Sequence, residues 1–326
     1  LGAVAVALSV ATGPGDALSW PGAPSGASPS VLGGAPALGR AKRELRSHRP
    51  SPARSAALLY VSRHPDDAEG YAVLAGAETM GGWASEAVAL VPWGMESAWY
   101  ERVGRALHAD ALRDLGRGRE AAEIRIDLLR GEDDEVSGVD VAADLVDDWR
   151  AAGEPAEAAA ALRDGVARWP RATLLYAVAA DLALDEGDMD VARGWLWLAQ
   201  VQGTPVTRVR VVSARLARAE GSWEEAGAML ESLAKRRPRS GPVRALQAHI
   251  LCDQGDPEAA LALLDRQALS ALGHVELAIV RARASWLVGD RLAARELAEW
   301  IAVRHVGHPD VAPLLALVGL TAPLGR

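Results

Sequence analysis

The sequence predicts an all-α fold, a right-handed α-solenoid of about eight antiparallel helix pairs that ends in a C-terminal capping helix. Three observations support this prediction. An alanine stands five residues after each of a set of regularly spaced glycines, and a small residue stands seven residues before it. These glycines recur every 34 residues, at Gly153, Gly187, Gly221, Gly255 and Gly289. Because the three positions recur together, we expect each copy to be one helix–turn–helix unit.

The same pattern continues towards the N-terminus. Gly82 and Gly116 are again 34 residues apart, and one further step reaches His48, where no glycine stands. The spacing from Gly116 to Gly153 is 37 residues, three more than elsewhere. The surplus falls at the acidic stretch 131–135, which we predict to be a loop. The repeats then span residues 35–306.

Each repeated position has a physical reason. A glycine that ends a helix adopts a left-handed conformation that other residues resist. An acid follows it in four of the last five copies, where a carboxylate can cap the free amides of the second helix: Glu154, Asp188, Asp256 and Asp290. Small residues on either side of the turn let the two helices approach closely. Pro170 and Pro238 are placed to stop the second helix.

This pattern resembles the tetratricopeptide repeat family. In the best unit the matching residues are Leu145, Val146, Trp149, Gly153, Ala158, Leu162, Gly165 and Pro170; in an earlier unit they are Tyr71, Leu74, Ala75, Gly82 and Ala87. In that family the first helix of each unit lines the concave surface. The resemblance therefore implies a solenoid that binds proteins through this surface.

Projected onto this chain, the first helices place two sets of charges on the predicted concave face. The middle of the groove carries Asp110, Asp114, Asp140, Asp147, Asp181 and Asp185, and its later part carries Arg208, Arg215, Arg218 and Arg283. Such a groove suits an extended peptide or a helix of opposite polarity, and a solvated face without a specific ligand is the alternative. A second candidate anchor is aromatic. Trp93, Trp99 and Tyr100 cluster in a stretch broken by Pro92 and Gly94, which we predict to be an exposed connection.

The two ends differ from the repeats. Residues 1–12 form an apolar segment too short to span a bilayer but similar to the core of a secretory signal or an anchor, and residues 13–34 form a Gly/Pro/Ser-rich linker. The basic segment expected before a signal core is missing, so either the true start lies upstream, or Leu1 is a mistranslated alternative start codon, or the run is merely an apolar tail. The terminal segment 307–326 predicts a helix at 309–319 that is more apolar than a solvent-facing cap. Its outer face either meets a partner or folds back on the last pair.

Composition and motifs argue against several kinds of chemistry. A net charge of -8 disfavours nucleic-acid binding. Cys252 is the only cysteine, which excludes an internal disulfide, and we expect it to be buried. His305, His308 and Asp310, and the acidic run that includes Glu132, Asp133, Asp134, Glu135 and Asp140, lack the spacing of metal ligands. We expect no metal, no cofactor and no catalytic site.

The sequence therefore favours a non-catalytic scaffold or adaptor that binds protein partners through its concave face and its ends. The resemblance, taken with the signal-like N-terminal segment, implies a subunit of a bacterial envelope-associated or exported assembly, and we expect the protein to be periplasmic or tethered to a membrane through its N-terminus. The alternative is a cytoplasmic regulatory module that binds a peptide.

Overall fold

The computed structural model describes residues 34–47, 49–131, 135–203, 207–236, 241–265, 275–304 and 310–320. Within these ranges the chain forms seventeen α-helices and no strand. The helices are α1 (Gly34–Arg46), α2 (Pro50–Val61), α3 (Ala68–Gly81), α4 (Ala84–Gly94), α5 (Arg105–Asp114), α6 (Gly118–Gly131), α7 (Glu135–Ala151), α8 (Pro155–Arg168), α9 (Thr173–Asp185), α10 (Met189–Gln202), α11 (Thr207–Ala219), α12 (Trp223–Arg236), α13 (Gly241–Asp253), α14 (Pro257–Asp265), α15 (Val275–Leu287), α16 (Arg291–Arg304) and α17 (Val311–Leu317).

Seven pairs of consecutive helices pack together, α1 with α2, α3 with α4, and then α7 with α8 through α15 with α16, and α17 follows the last pair. The predicted all-α fold of helix pairs is thereby confirmed. The turn glycines behave as the spacing predicts: Gly82, Gly116, Gly153, Gly187, Gly221, Gly255 and Gly289 all have φ between 72° and 92°. A side chain at such a φ is strained, which explains why glycine ends the first helix of each of these pairs.

The repeated small residues lie at the contacts between helices. Every alanine five residues after a turn glycine is at most 1% exposed: Ala87, Ala121, Ala158, Ala192, Ala226, Ala260 and Ala294. The residues seven positions before the turn are buried as well, from Ala75 to Ala282. A larger side chain at either position would push the paired helices apart, because protein interiors are close-packed.

The acid after the turn caps the second helix only when it is an aspartate. Asp188, Asp256 and Asp290 each accept a hydrogen bond from a backbone amide three residues later, at 3.0, 3.0 and 3.2 Å. Glu154 makes no such cap and instead binds the guanidinium of Arg119. The longer glutamate side chain is not among the preferred N-caps, so the prediction is wrong for Glu154.

The three surplus residues lengthen a helix. The helix α7 has 17 residues and begins 18 residues before its turn glycine, whereas α9 has 13 residues and begins 14 before its own. Gly131 and Glu135 at the two ends of the predicted acidic loop are both helical, and residues 132–134 between them lie outside the described ranges. The added turn places Gly138 against the ring of Trp169, where a Cβ atom would come within 2.5 Å of it.

The described helices belong to two compact units that divide between Leu112 and Arg113. In the first unit, α1–α4 share one apolar core, and a π-helical turn at Tyr100–Gly104 leads into α5. In the second unit, the cores between successive pairs follow one another from α7 to α17. Cys252 is buried in one of these cores, as expected.

The last helix folds back on the pair before it. Val311, Leu314, Leu315 and Val318 pack into the core formed with α15 and α16. Its other side carries Ala312, Pro313, Ala316 and Leu317, which are exposed. One side of the segment therefore folds back on the last pair, while its outer side is left exposed.

The predicted N-terminal segments 1–12 and 13–34 lie outside the described ranges, apart from Gly34, the first residue of α1. No helix in the described part of the chain is both long enough and apolar enough to cross a membrane.

Candidate partner-binding face

The first helices of the second unit form its more closely packed layer. The first helices are α7, α9, α11, α13 and α15, and each of the first four contacts the next one in the series in addition to its own partner. Their free sides together form one surface, which we call the first-helix face. A row of residues runs along it, each six positions before a turn glycine: Asp147, Asp181, Arg215, His249 and Arg283. The row changes from acidic to basic between Asp181 and Arg215.

The acidic and basic residues of this face bind one another. Arg208 on α11 donates to Asp147 on α7, with Nη2 2.8 Å from Oδ1, and also reaches Asp181 on α9 at 3.1 Å. Arg215 binds Asp181 and donates from Nη2 to Asp185 Oδ1 at 3.0 Å. The sequence prediction separated acids from bases along the groove, but in the structure these five residues share one network.

Arg150 completes this network, although the sequence did not single it out. Its guanidinium donates to Asp147 at 3.0 Å, to Asp181 at 3.1 Å and to Asp185 at 2.9 Å. The network then holds three arginines and three aspartates, so its charges balance. It joins three successive helix pairs through side chains on α7, α9 and α11.

The arginines keep Asp181, which is buried, and Asp147, which is largely buried, ionised. Burial alone would raise the pKa of Asp147, but the charge and hydrogen bond of Arg208 and the charge of Arg150 hold it well below its ordinary value. Asp181 is also buried, and the charges of Arg215, Arg150 and Arg208 lower its pKa. Such residues stabilise the stack, because removing one partner would leave a buried charge without compensation.

A second cluster contains more positive than negative charge. Arg218 on α11 and Arg283 on α15 both bind Asp253 on α13, and Arg283 Nη2 lies 2.6 Å from Oδ1. Arg283 Nη1 lies 3.1 Å from His249 Nδ1. Burial and the nearby Arg218 and Arg283 lower the pKa of His249 to about 3, so the imidazole is neutral at pH 7. Two guanidinium groups therefore share one carboxylate.

The remaining predicted acids take no part in these two clusters. Asp110 lies in the first unit and Asp114 in the second; both are half-buried at the end of α5, and both interact with other groups. Asp140 lies on the first two turns of α7 and is exposed.

A buried ion pair beside the first-helix face was not predicted. Arg125 on α6 and Asp148 on α7 are both fully buried, with Nε 2.8 Å from Oδ2, and Arg113 donates to the same carboxylate at 3.1 Å. A signal for it was present in the sequence. Arg125 stands nine residues after its turn glycine, where later copies have Leu162, Leu196, Leu230 and Leu264.

The predicted aromatic anchor is divided by the structure. Trp93 is half exposed at the end of α4, which continues through Pro92 to Gly94, so the predicted break comes only after Gly94. Trp99 packs against the core, and Tyr100 is buried and bonded to His108 Nδ1 at 2.8 Å. Exposure of Tyr100 was therefore a wrong expectation, and of these three candidate residues only Trp93 offers an exposed ring.

The metal candidates are only partly described. His305, His308 and residues 132–134 fall outside the described ranges. Among the described residues, no group of three or more His, Cys, Asp or Glu side chains is placed to hold a metal ion.

A family model matches part of the second unit. Residues 217–284 match the family model described as "Tetratricopeptide repeat". No curated protein matches the chain in sequence.

Solved structures of repeat proteins resemble the fold. A chain from the crystal structure of the APC/C hetero-tetramer Cut9–Hcn1 aligns with a TM-score of 0.53 and 15% identity. The alignment covers 86% of this chain and 56% of that one. A tetratricopeptide repeat protein from Parabacteroides merdae aligns with a TM-score of 0.49 and 12% identity, over 87% of this chain and 98% of that one. PilF of Pseudomonas aeruginosa aligns with a TM-score of 0.42 and 17% identity, over 66% and 96%. At 15% identity, the similarity to the Cut9–Hcn1 chain concerns the fold alone.

Proposed function

We propose that this protein is a non-catalytic scaffold whose first-helix face binds a protein partner. The premises are the match of residues 217–284 to the tetratricopeptide repeat and the all-α fold of helix pairs. One observation carries the proposal. The first helices of the second unit pack side by side, so residues from five successive repeats form one continuous surface. A peptide or helix laid along such a surface meets a row of side chains at regular spacing.

The residues of this surface differ from copy to copy, whereas those between the helices do not. The position six residues before the turn changes from Asp181 through Arg215 and His249 to Arg283, while the alanines at the helix contacts are repeated. Packing explains the repeated residues. The varied ones lie on the face that remains open in the described second unit, where side chains select a partner by charge.

A photo-crosslinking amino acid at Val211 tests the proposal. Val211 is half-buried on α11 and lies one helical turn from both Arg208 and Arg215, so it shares their face. The matched control replaces Glu231, whose side chain is 67% exposed on the second helix α12. We expect a discrete adduct with one partner from Val211 and none from Glu231. Adducts from Glu231 alone would contradict the proposed face.

We propose further that the protein belongs to an exported or envelope-associated assembly in a bacterium. The apolar segment 1–12 and the Gly/Pro/Ser-rich stretch 13–34 support this setting, because an apolar core followed by a linker is typical of exported or tethered domains. Fractionation of cells that make the full chain tests it. Recovery with the periplasmic or membrane fraction supports export, and recovery with the cytosol alone favours the peptide-binding regulatory module instead.

A further inference from the structure

Two ion pairs in the same register link the ends of neighbouring first helices, α7 with α9 and α11 with α13, whereas α9 and α11, like α13 and α15, have no such pair. Arg150, three residues before its turn glycine, binds Asp185, two residues before the next turn glycine. Arg218 binds Asp253 in the same register. Between these two pairs, the corresponding positions hold Leu184 and Ala219. The first-helix face therefore has a gap where neither partner of the expected ion pair is present.

The gap is open space. Leu184 and Ala219 line a cavity of about 290 Å³ together with Arg215, Arg218 and Asp253. The origin of the cavity is physical: leucine and alanine are shorter than the arginine and aspartate that fill the equivalent space on either side. Its lining thus combines an apolar patch with two guanidinium groups and the carboxylate of Asp253, which Arg218 binds through Nε.

Arg218 is the group that remains available to a ligand. It donates to Asp253 through Nε, and within the described part of the chain neither of its Nη atoms has a hydrogen-bond partner. Both Nη atoms of Arg215, in contrast, are engaged by Asp181 and Asp185. The terminal nitrogens of a guanidinium bind a carboxylate in a planar, two-bond geometry.

The local charge also favours an anion. Arg218 and Arg283 share the single carboxylate of Asp253, while His249 beside them is neutral at pH 7. One positive charge is therefore left over in this cluster of described residues. The cluster is half-buried, with Arg218 31% exposed, so an incoming charge is only partly screened by solvent.

We propose that this cavity is a binding site for an acidic side chain of a bound peptide, whose carboxylate is held by Arg218 and whose methylene groups rest on Leu184 and Ala219. The site deepens the proposed function, on which it rests, by assigning a chemical class to one residue of the partner. A glutamate fits both parts of the site, because its apolar stem and its terminal carboxylate match the apolar patch and the guanidinium.

The test uses three heptapeptides and the full chain. The first is acetylated and amidated polyalanine with a central glutamate, the second has glutamine in its place, and the third has glutamine and a free C-terminal carboxylate. Binding is followed by the ¹H–¹⁵N NMR signal of Arg218 Nε. We expect saturable shifts with the glutamate peptide and about tenfold weaker binding of the capped glutamine peptide, because a hydrogen-bonded charge pair is lost.

The variant Leu184→Arg/Ala219→Asp supplies the missing ion pair and fills the gap. It adds a favourable pair in an established register, so it is expected to fold and to lose binding of the glutamate peptide. The control Leu184→Met/Ala219→Ser keeps the gap and is expected to bind like the wild type. Equal binding of the two capped peptides, or unchanged binding by the filled variant, overturns the site. Preferential binding of the free-acid peptide overturns the assignment to a side chain.

Crosslinking at Val211 separates this inference from the proposed function. If the filled variant captures the partner as well as the wild type does, the acidic-side-chain site is wrong and the scaffold function stands. If the wild type captures no partner, the proposed function fails whatever the peptides show.

Discussion

Arg125 and Asp148 form a fully buried ion pair between α6 and α7, with Nε 2.8 Å from Oδ2. In the next three copies, the position of Asp148 is taken by Leu182, Leu216 and Ile250. The pair thus replaces an apolar contact of the repeat with a charged one.

Removing one charge of this pair should destabilise the second unit strongly. Arg125→Leu takes the buried guanidinium away from the buried Asp148, and a buried charge that loses its partner costs about 3–5 kcal/mol. The double variant Arg125→Leu/Asp148→Leu restores the apolar contact. Its free energy of unfolding should differ from that of the wild type by no more than about 1 kcal/mol. Urea unfolding followed by circular dichroism measures both free energies.

Arg119 provides the matched control for this prediction. It also binds an acid 35 residues away, Glu154, but its side chain is 68% exposed. Arg119→Leu should change the free energy of unfolding by less than about 1 kcal/mol, since exposed ion pairs contribute little. Equal losses for Arg119→Leu and Arg125→Leu would show that burial does not set the strength of these pairs.

Two glycines of neighbouring elements should respond in opposite directions to alanine. Gly187 has φ 80°, so Gly187→Ala forces a side chain into the left-handed region and should cost about 1–2 kcal/mol. Gly194 lies within α10 with open space around its Cβ position, so Gly194→Ala should stabilise by about 0.5–1 kcal/mol. Thermal unfolding of both variants measures whether each substitution lowers or raises stability. A stabilising Gly187→Ala would contradict the role of the turn glycine.

His249 should make stability depend on pH in mildly acidic solution. Its pKa is about 3 in the folded chain and 6.5 in the unfolded chain, so the unfolded state binds one proton more between these values. The contribution of His249 to the free energy of unfolding is fully present above pH 6.5. It is lost as the pH falls towards 3, by about 1.4 kcal/mol per pH unit. His249→Gln should remove this slope between pH 4.5 and 6.5. An imidazole that titrates near 6.5 by NMR in the wild type would contradict the prediction.

Trp93 and Tyr100 should separate partner binding from stability. Tyr100→Phe loses the hydrogen bond to His108 and should lower the free energy of unfolding by about 1 kcal/mol without changing partner capture. Trp93→Ala removes an exposed ring and should weaken capture if that ring is an anchor. The measurement compares recovery of the crosslinked partner with the melting temperature of each variant. If Tyr100→Phe lost capture of the partner and Trp93→Ala did not, Tyr100 rather than Trp93 would be assigned to partner binding.

The period of the sequence was enough to predict the turns and the pairing of helices. Gly187 and Ala192 each have a single physical requirement, a left-handed backbone and a small side chain, and such requirements are visible in the sequence. The extension of α7 was not predictable in the same way. Three added residues can enlarge a loop or lengthen a helix, and only the contact of Gly138 with Trp169 shows which occurred.

The candidate face was predicted in its residues but not in their interactions. Asp181 and Arg215 were placed on the same face, but the sequence alone did not show that they bind each other across the 34-residue period. Whether charges on adjacent helices meet depends on distances of a few ångströms, which repeat spacing alone does not provide. The gap at Leu184 and Ala219 is defined by the ion pairs on either side of it, and the sequence alone did not show those pairs.

Hydrogen–deuterium exchange with the crosslinked partner, once it is identified and purified, tests most directly whether the first-helix face is the binding face. The account predicts slower exchange in the first helices α9, α11 and α13 on addition of the partner, and little change in the second helices α10 and α12 of the same repeats. Protection confined to α10 and α12, with α9, α11 and α13 unchanged, would contradict it.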